Sequence, residues 1–309
     1  MFYVYPQLSR YDLGLIRIGG PGLGNLLFPF AEAIALAKKE NFQIIWPTWG
    51  QLKVGPLIRR EKDKRTYFTL FKSTEDYIHD WRKAYLLLRC NIMSKEKYIQ
   101  YKSEHIQFNL KKDTIIVCTG MRNLFSDIIM DHELIGNELE KICRTKKQFR
   151  KNKFVGVHIR LGDFKNVPLE SLTSRISNAR LPMEWYIEKI EQVREICGRC
   201  IDIRVFSDAT DDEIKDVLSL PGVVRADYGN SVNDLLGLSQ SSILIASNSS
   251  FSMWASYLGR MPVIWYKDLM KQRLYYGADS IKEIDIGLGE QLPETFCDCL
   301  LVGGKSYDI

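Results

Sequence analysis

Hydrophobic and polar positions alternate along this chain in a pattern that predicts repeated strand–helix units. An apolar run at residues 13–18 precedes a glycine-rich turn, and apolar residues from Leu26 to Ala37 then recur at helical spacing. A third apolar stretch at residues 43–47 ends at a proline. These segments predict a strand, a helix and a second strand, and parallel pairing of two strands needs such a crossover.

The rest of the chain continues this alternation after a less regular stretch. Residues 51–107 predict loops and short helices, because apolar positions follow no steady period there. Further strands are predicted at residues 114–118, 154–159, 203–206, 223–224, 242–246 and 263–265. Further helices are predicted at residues 131–143, 183–197, 211–218, 232–238 and 251–257. Repeated strand–helix units favour an α/β fold with parallel sheets covered on both faces.

A basic segment divides this pattern near the middle of the chain. Residues 144–153 carry six positive charges and interrupt the apolar periodicity, which is typical of a solvated connector. We therefore predict two doubly wound domains, residues 1–150 and 151–309, with room for the last segment to pack back on the first domain. Two such domains would enclose a cleft lined by the carboxyl ends of both sheets.

Composition and charge narrow the class of protein. The 309 residues are 45% hydrophobic and 26% charged, which excludes a disordered chain. The net charge of +5 is too small for a dedicated nucleic-acid binder. No run of 18 apolar residues occurs and the amino terminus does not resemble a signal peptide. We expect a cytoplasmic protein.

The seven cysteines agree with that compartment. Their number is odd and they are scattered, which favours free thiols in a reducing environment. Cys197 with Cys200 and Cys297 with Cys299 could form a four-thiolate zinc site. The second pair has C-x-C spacing and lies almost a hundred residues from the first, so we expect no metal site.

The glycine-rich turn is a candidate anion site. Gly22, Gly24 and Asn25 lie where backbone N–H groups and the positive end of a helix could contact a phosphate. The turn matches neither the dinucleotide fingerprint nor the P-loop, since Leu27 takes the third glycine position and Asn25 follows Gly24. A tight turn that binds nothing explains it equally well.

Polar residues end three of the predicted strands. His158 and Arg160 share one face near the end of their strand, Asp208 follows the next strand, and Ser249 and Ser250 lie in a later strand-to-helix turn. Arg160 could bind a phosphate through two hydrogen bonds, or Asp163 could neutralise it internally. The serines suit a helix cap or a phosphate contact. Three polar strand ends at one edge of a sheet favour a ligand site.

Together these segments resemble glycosyltransferase family 11, the α-1,2-fucosyltransferases, over roughly residues 13–266. The resemblance implies a GT-B-like pair of Rossmann-type domains facing across a cleft, GDP-fucose as the donor, inversion at the sugar carbon and no required metal. The chain contains no Asp-x-Asp triplet, which agrees with that mechanism. The motifs that carry the resemblance are residues 20–28, His158-Ile159-Arg160-Leu161-Gly162-Asp163, Leu181-Pro182-Met183-Glu184-Trp185-Tyr186, Phe206-Ser207-Asp208 and residues 247–255.

The resemblance also implies roles for the matching donor-site residues. Arg160 would hold the β-phosphate and stabilise the departing GDP, and His158 and Asp208 would contact guanine or its ribose. Ser249 or Ser250 would bind the pyrophosphate. The turn containing Gly22, Gly24 and Asn25 would close on donor and acceptor.

The chain departs from the family pattern at Leu161, where members usually carry a second arginine. Strand alternation places this side chain opposite Arg160, so we expect the donor contact to survive, although the identity of the sugar becomes open. The identity of the group that accepts the proton from the acceptor hydroxyl is also open. Asp163 is the first candidate, Glu32 the second, and the departing phosphate the alternative.

The resulting hypothesis is a transferase acting on an oligosaccharide or lipid-linked glycan acceptor, with no nucleic-acid partner. Basic residues at 59–65 and 146–153 could favour peripheral association with the inner face of a membrane. Two alternatives stay open: a transferase for another sugar nucleotide, and a catalytically silent nucleotide- or glycan-binding protein of the same fold.

Overall fold

The computed structural model describes residues 1–52, 58, 66–104, 112–144, 153–168, 170, 172 and 178–305. The chain divides into two compact units, Met1–Lys146 and Lys147–Ile309. Most of the basic segments at residues 59–65 and 144–153 lies outside the described residues, including the predicted domain boundary.

The described part of the first unit contains a five-stranded parallel sheet. In spatial order its strands are β5 (Tyr77–Ile78), β3 (Gln43–Ile45), β1 (Phe2–Gln7), β7 (Thr114–Thr119) and β6 (Asn91–Ser94). Two short strands, β2 (Arg17–Ile18) and β4 (Gln51–Leu52), pair separately. The helices of this unit are α1 (Leu23–Glu40), α2 (Asp80–Arg89), α3 (Lys95–Ser103) and α4 (His132–Ile142).

Alternation along the central strands buries side chains on both faces of this sheet. Val4 of β1 packs with Ala33 and Leu36 of α1 on one face. Its neighbours Tyr3 and Tyr5 point to the other face, where they pack in a cluster that includes a leucine of α2. The two apolar faces hold α1 and α2 on opposite sides of the sheet.

The predicted first strand at residues 13–18 is wrong. Leu13 and Leu15 are 65% and 79% exposed, and only Arg17–Ile18 pair, in the small sheet rather than the main one. The strand before α1 in the main sheet is β1, which contains Pro6. Pro6 lies beyond the β1 residues that pair with β3, so its missing N–H breaks no bond to that strand.

The described part of the second unit contains a six-stranded parallel sheet. In spatial order its strands are β10 (Val223–Arg225), β9 (Asp202–Ser207), β8 (Phe154–Ile159), β11 (Ile243–Ile245), β12 (Val263–Tyr266) and β13 (Glu283–Ile286). Numbered along this unit, the order is 3-2-1-4-5-6, the doubly wound dinucleotide-binding arrangement. The predicted α/β fold with parallel sheets is confirmed.

The helices of this unit are α5 (Met183–Cys197), α6 (Lys215–Leu218), α7 (Ser231–Leu238), α8 (Ser250–Gly259) and α9 (Glu294–Lys305), and short 3₁₀ turns lie at Asp212–Ile214 and Gly277–Lys282. α5 has its predicted bounds, and the Trp185 indole donates 2.9 Å to the Ile286 carbonyl. α9 packs on α5, so this last segment lies within the second unit. The sequence pattern missed β1, β4, β5, β6, β13 and α9.

Candidate functional site

The sheet order of the second unit determines where a ligand would bind. The chain leaves β8 for β9 on one side and later returns to β11 on the other, so β8 and β11 flank the point where the winding reverses. In such sheets, ligands bind outside the carboxyl ends of the strands at this point. His158 and Arg160 lie at the end of β8, and residues 247–250, here called the serine turn, follow β11.

Two carboxylates hold the Arg160 guanidinium. Its Nη2 pairs with Asp163 Oδ1, and its Nη1 lies 2.8 Å from Asp208 Oδ2. The side chain of Arg160 is 21% exposed and lies over the Phe164 ring at 5.6 Å. Arg160 is thus paired internally, yet part of its side chain still reaches solvent. Asp208 was predicted as a ligand contact, and the structure adds a positioning role.

Gly162 allows this arrangement. A Cβ atom at Gly162 would lie 2.1 Å from Asp208 Oδ2, closer than any real contact. The other oxygen of Asp208 accepts the Leu161 N–H at 3.0 Å. The carboxylate therefore joins the backbone after β8 to the guanidinium, and only glycine leaves room for it.

His158 lies beneath the serine turn, 5% exposed. Its Nδ1 is 2.7 Å from Ser252 Oγ, 2.9 Å from Ser247 Oγ and 3.4 Å from Ser249 Oγ. Its ring stacks on Phe251 with a centroid distance of 4.9 Å. Because the hydroxyls surround Nδ1, any hydrogen bond from His158 to a ligand has to use Nε2.

Burial, and secondarily the nearby Arg160 charge, lower the pKa of His158 to about 3. The imidazole is neutral at physiological pH. It cannot supply positive charge to a diphosphate, but it can exchange a hydrogen bond with a base or hydroxyl. This agrees with the role implied for it by the family resemblance.

The serine turn caps α8. Ser249 is the N-cap residue, and its Oγ accepts the Ser252 N–H at 3.3 Å. Ser250 follows at the first helical position and is partly exposed. Both explanations offered by the sequence remain compatible with this geometry, since a capping hydroxyl at a helix N-terminus can still donate to an anion.

Leu161 is buried in the core of the second unit, 4% exposed. Arg160 beside it stays partly exposed and paired with carboxylates. The two side chains thus lie in different environments, as strand alternation predicts.

The remaining predicted residues lie in the first unit. Gly22 is the N-cap of α1, and its carbonyl accepts the N–H groups of Asn25 and Leu26 at 3.0 and 3.2 Å. Gly24 lies in the first turn of the helix. Gly22 has no side chain to cap this helix end, which carries the positive end of the helix dipole.

Glu32 is buried in an ion-pair cluster. Lys95 Nζ lies 2.7 Å from Glu32 Oε2 and 2.8 Å from Asp127 Oδ2. Burial raises the pKa of Glu32 although Lys95 opposes the shift. The pairing makes Glu32 a less accessible proton acceptor than Asp163, whose side chain is 47% exposed.

The structure therefore brings His158, Arg160, Asp163, Asp208 and Ser249 together at the carboxyl edge of one sheet. The positions of Gly162, Ser247 and Ser252 beside these residues were not predicted, although the repeated serines after β11 were a usable signal. Among the described residues no group of three or more His, Cys, Asp or Glu side chains could hold a metal ion.

A doubly wound domain with charged and hydroxyl side chains at its switch point is an arrangement that α/β proteins use to bind ligands. Residues 129–265 match the family model of glycosyl transferase family 11. This range contains β8, β9, β11 and the serine turn, so the resemblance inferred from those motifs is confirmed there. The match supports assignment as a glycosyltransferase. The glycine turn and Glu32 lie outside the matched range, and no curated protein matches the chain.

Solved fucosyltransferase structures are similar to this chain at low identity. NodZ from Bradyrhizobium is 13% identical, with a TM-score of 0.42 and coverage of 84% of this chain and 94% of NodZ. A second NodZ structure, described as an alpha-1,6-fucosyltransferase soaked with GDP-fucose, is 12% identical with a TM-score of 0.43, and the match covers 85% of this chain and 94% of NodZ. POFUT1 in complex with GDP is 10% identical with a TM-score of 0.48, and the match covers 84% of this chain and 96% of POFUT1. The assignment as a glycosyltransferase rests on the family match over residues 129–265.

Proposed function

We propose that this chain is an inverting fucosyltransferase that moves fucose from GDP-fucose to a hydroxyl of a glycan, in α-1,2 linkage and without a metal. The family match over residues 129–265 supports the donor class. The observation that carries the proposal is Arg160, fixed by Asp163 and Asp208 at the switch point of the second unit and still partly exposed.

The chemistry of the departing group matches that arginine. When the bond to fucose breaks, negative charge develops on the β-phosphate of GDP. A guanidinium held in place before the reaction stabilises this charge without reorganising, which is the work a metal ion performs in other transferases. Ser249 or Ser250, at the N-terminus of α8, would donate to the pyrophosphate.

The base of the nucleotide would lie near His158. Nε2 is the ring nitrogen left for a ligand, because the serine hydroxyls surround Nδ1. Asp208 would reach guanine or its ribose only through oxygens that it already shares with Arg160 and the Leu161 N–H. We therefore propose that His158 discriminates the nucleotide more strongly than Asp208 does.

We propose Asp163 as the acceptor of the proton from the glycan hydroxyl, because its carboxylate is exposed beside the guanidinium. Glu32 is the second candidate. Asp163→Asn should lower the turnover number by about 10²- to 10⁴-fold, and Glu32→Gln should leave it nearly unchanged. If neither variant lowers the turnover number, the departing phosphate takes the proton.

The decisive experiment compares Arg160→Ala with Arg204→Ala. Arg204 lies on neighbouring β9, stacks over the Phe154 ring at 4.2 Å and pairs with Asp202 at 3.7 Å. Transfer from GDP-fucose should fall about a thousandfold in the Arg160 variant, since a charge-assisted contact in the transition state is lost. The Arg204 variant should retain its turnover number.

Three results would refute parts of this proposal. Activity with another sugar nucleotide but not with GDP-fucose would exclude the donor, and GDP binding without any transfer would favour a silent binding protein. Loss of activity in EDTA that is restored by a divalent metal would exclude the metal-independent mechanism.

We also propose peripheral association with the inner membrane face, where a lipid-linked acceptor would lie. α2 exposes Trp81, Tyr85 and Leu88, which are 75%, 57% and 85% accessible and share one helical face. Arg82 and Arg89 lie along one side of this face, and helices in membrane interfaces likewise place basic residues beside an apolar face. No described helix is long and apolar enough to span a bilayer. Co-sedimentation with anionic vesicles, lost in Trp81→Ser, would support this placement.

A further inference from the structure

The first unit contains a cavity that the donor site does not use. Its volume is about 260 Å³, somewhat below the roughly 300–1,000 Å³ of sites for drug-sized ligands. Residues 46–50 after β3, His79 and Asp80 after β5, Phe68 and residues 71–73 line it. It therefore lies at the carboxyl ends of parallel strands, where α/β sheets bind ligands, and its size suits one sugar ring.

Aromatic side chains form much of the wall of this cavity. Trp46 is half-buried and packs edge-on against Tyr77, with ring centroids 4.9 Å apart. Phe68 is 48% exposed, and its ring lies on the backbone of Gly50, where a Cβ would be 2.4 Å away. Rigid aromatic faces beside a few polar groups are typical of sites that bind a ring with both apolar and polar edges.

One polar group in the wall is a buried ammonium. Lys83 of α2 is 5% exposed, and its Nζ donates to Thr48 Oγ1 at 2.9 Å and lies 5.1 Å from the centre of the Tyr5 ring. It forms no ion pair with any carboxylate in the described residues. Burial lowers the pKa of Lys83 to about 8, and Asp12 only partly opposes this. A buried cation without a counterion is costly, and groups with strongly shifted pKa values cluster at functional sites.

The charges around Lys83 compensate its positive charge only in part. Asp12 acts on the ammonium through space without an ion pair, and its two oxygens accept the Tyr5 hydroxyl at 2.7 Å and the Gly14 N–H at 2.9 Å. Asp80 Oδ2 is bonded to His79 Nδ1 at 2.6 Å. The other charged lining residues, Lys72 and Arg144, are basic. The cavity thus has a net positive lining.

We propose that this cavity binds one sugar ring that carries an anionic substituent, a carboxylate or a phosphate, with the anion against Lys83 and the ring against Trp46 and Phe68. A neutral sugar would leave the ammonium without a counterion, so the site should discriminate by charge. That the sugar belongs to the glycan acceptor rests on the proposed function. Binding of the anionic sugar in this cavity does not depend on the proposed function.

The test is calorimetric titration of the full chain without GDP-fucose. The probes are glucuronic and galacturonic acid, glucose 6-phosphate and galactose 6-phosphate, and the neutral sugars glucose and galactose. At least one anionic class should bind about 10- to 100-fold more tightly than the neutral sugars, the range for a hydrogen-bonded buried charge. Preference for the acids or for the phosphates identifies the source of the anion.

Three variants separate the two parts of the site. Lys83→Met should remove the preference for anionic sugars. Lys97→Met is the matched control on α3, because Lys97 also lies over a tyrosine ring, Tyr101 at 5.3 Å, but outside the cavity. Phe68→Ala, an exposed position that should not affect folding, should weaken binding of every sugar.

Binding of none of the probes, equal binding of anionic and neutral sugars, or a preference that survives Lys83→Met would overturn the proposal. A separate titration with GDP reports on the donor site of the second unit. Failure of sugar binding and failure of the proposed transferase function are thereby distinguishable.

Discussion

Protonation of His158 should destabilise the second unit in mild acid, and His158→Gln should remove that effect. The imidazole is 5% exposed, and three serine hydroxyls and the Phe251 ring surround it. No carboxylate contacts the ring in the described structure, and the nearest charge is that of Arg160, which repels a proton. Glutamine at this position keeps a polar group for the serines but does not titrate.

The magnitude follows from the two pKa values. The pKa of His158 is lowered from 6.5 to about 3 in the folded protein. Between these values the unfolded chain binds one more proton than the folded one, so stability falls as pH falls. At about 1.4 kcal/mol per unit, this gives a loss of about 2 kcal/mol on going from about pH 7.5 to about pH 5. The full loss, reached only well below pH 3, is about 5 kcal/mol.

The assay is urea unfolding at both pH values, followed by tryptophan fluorescence. The natural protein should lose about 2 kcal/mol more than His158→Gln between about pH 7.5 and 5. Ser252→Ala should lower stability similarly at both pH values, because it removes a hydroxyl but leaves the ring buried. Equal pH dependence in the natural protein and His158→Gln would refute the conclusion that the buried imidazole is neutral.

Three other perturbations have defined outcomes. Gly162→Ala should displace Asp208 by about 1 Å and lower the turnover number about 100-fold, so an unchanged turnover number would contradict its role in positioning Arg160. Lys95→Met should cost about 3–5 kcal/mol in urea unfolding, because Glu32 stays buried without its cation, and a cost below about 1 kcal/mol would argue against that pairing. Lys83→Met should raise stability near pH 7 by up to about 3 kcal/mol, since the folded pKa of about 8 lies below 10.5. This gain should vanish above about pH 10, and a variant less stable near pH 7 would contradict the cost of burying Lys83.

The repeating pattern was sufficient to predict the second unit in some detail. α5 has the predicted bounds, and β8 begins and ends where its apolar run does. Both elements are amphipathic or fully buried over their whole length, so local periodicity and packing agree. The first unit was harder, because β1 contains a proline and the apolar residues at 13–18 are largely exposed. Its two-residue strands are defined by pairing with neighbouring strands, and they are too short to show an alternation of apolar and polar residues.

Sequence alone placed His158, Arg160 and Asp208 at strand ends, because parallel strands direct their carboxyl ends to one edge. It could not determine which partners they would take. That Arg160 lies between Asp163 and Asp208, and that His158 is neutral beneath three serines, depends on contacts between residues 3 to 94 positions apart. The cavity at Lys83 was not predicted at all, because a lysine on a short helix looks solvated until Tyr5 and Thr48, far away in sequence, are seen to enclose it. Periodicity is local and determined the fold, whereas burial and charge pairing are non-local, and only the tertiary structure decided them.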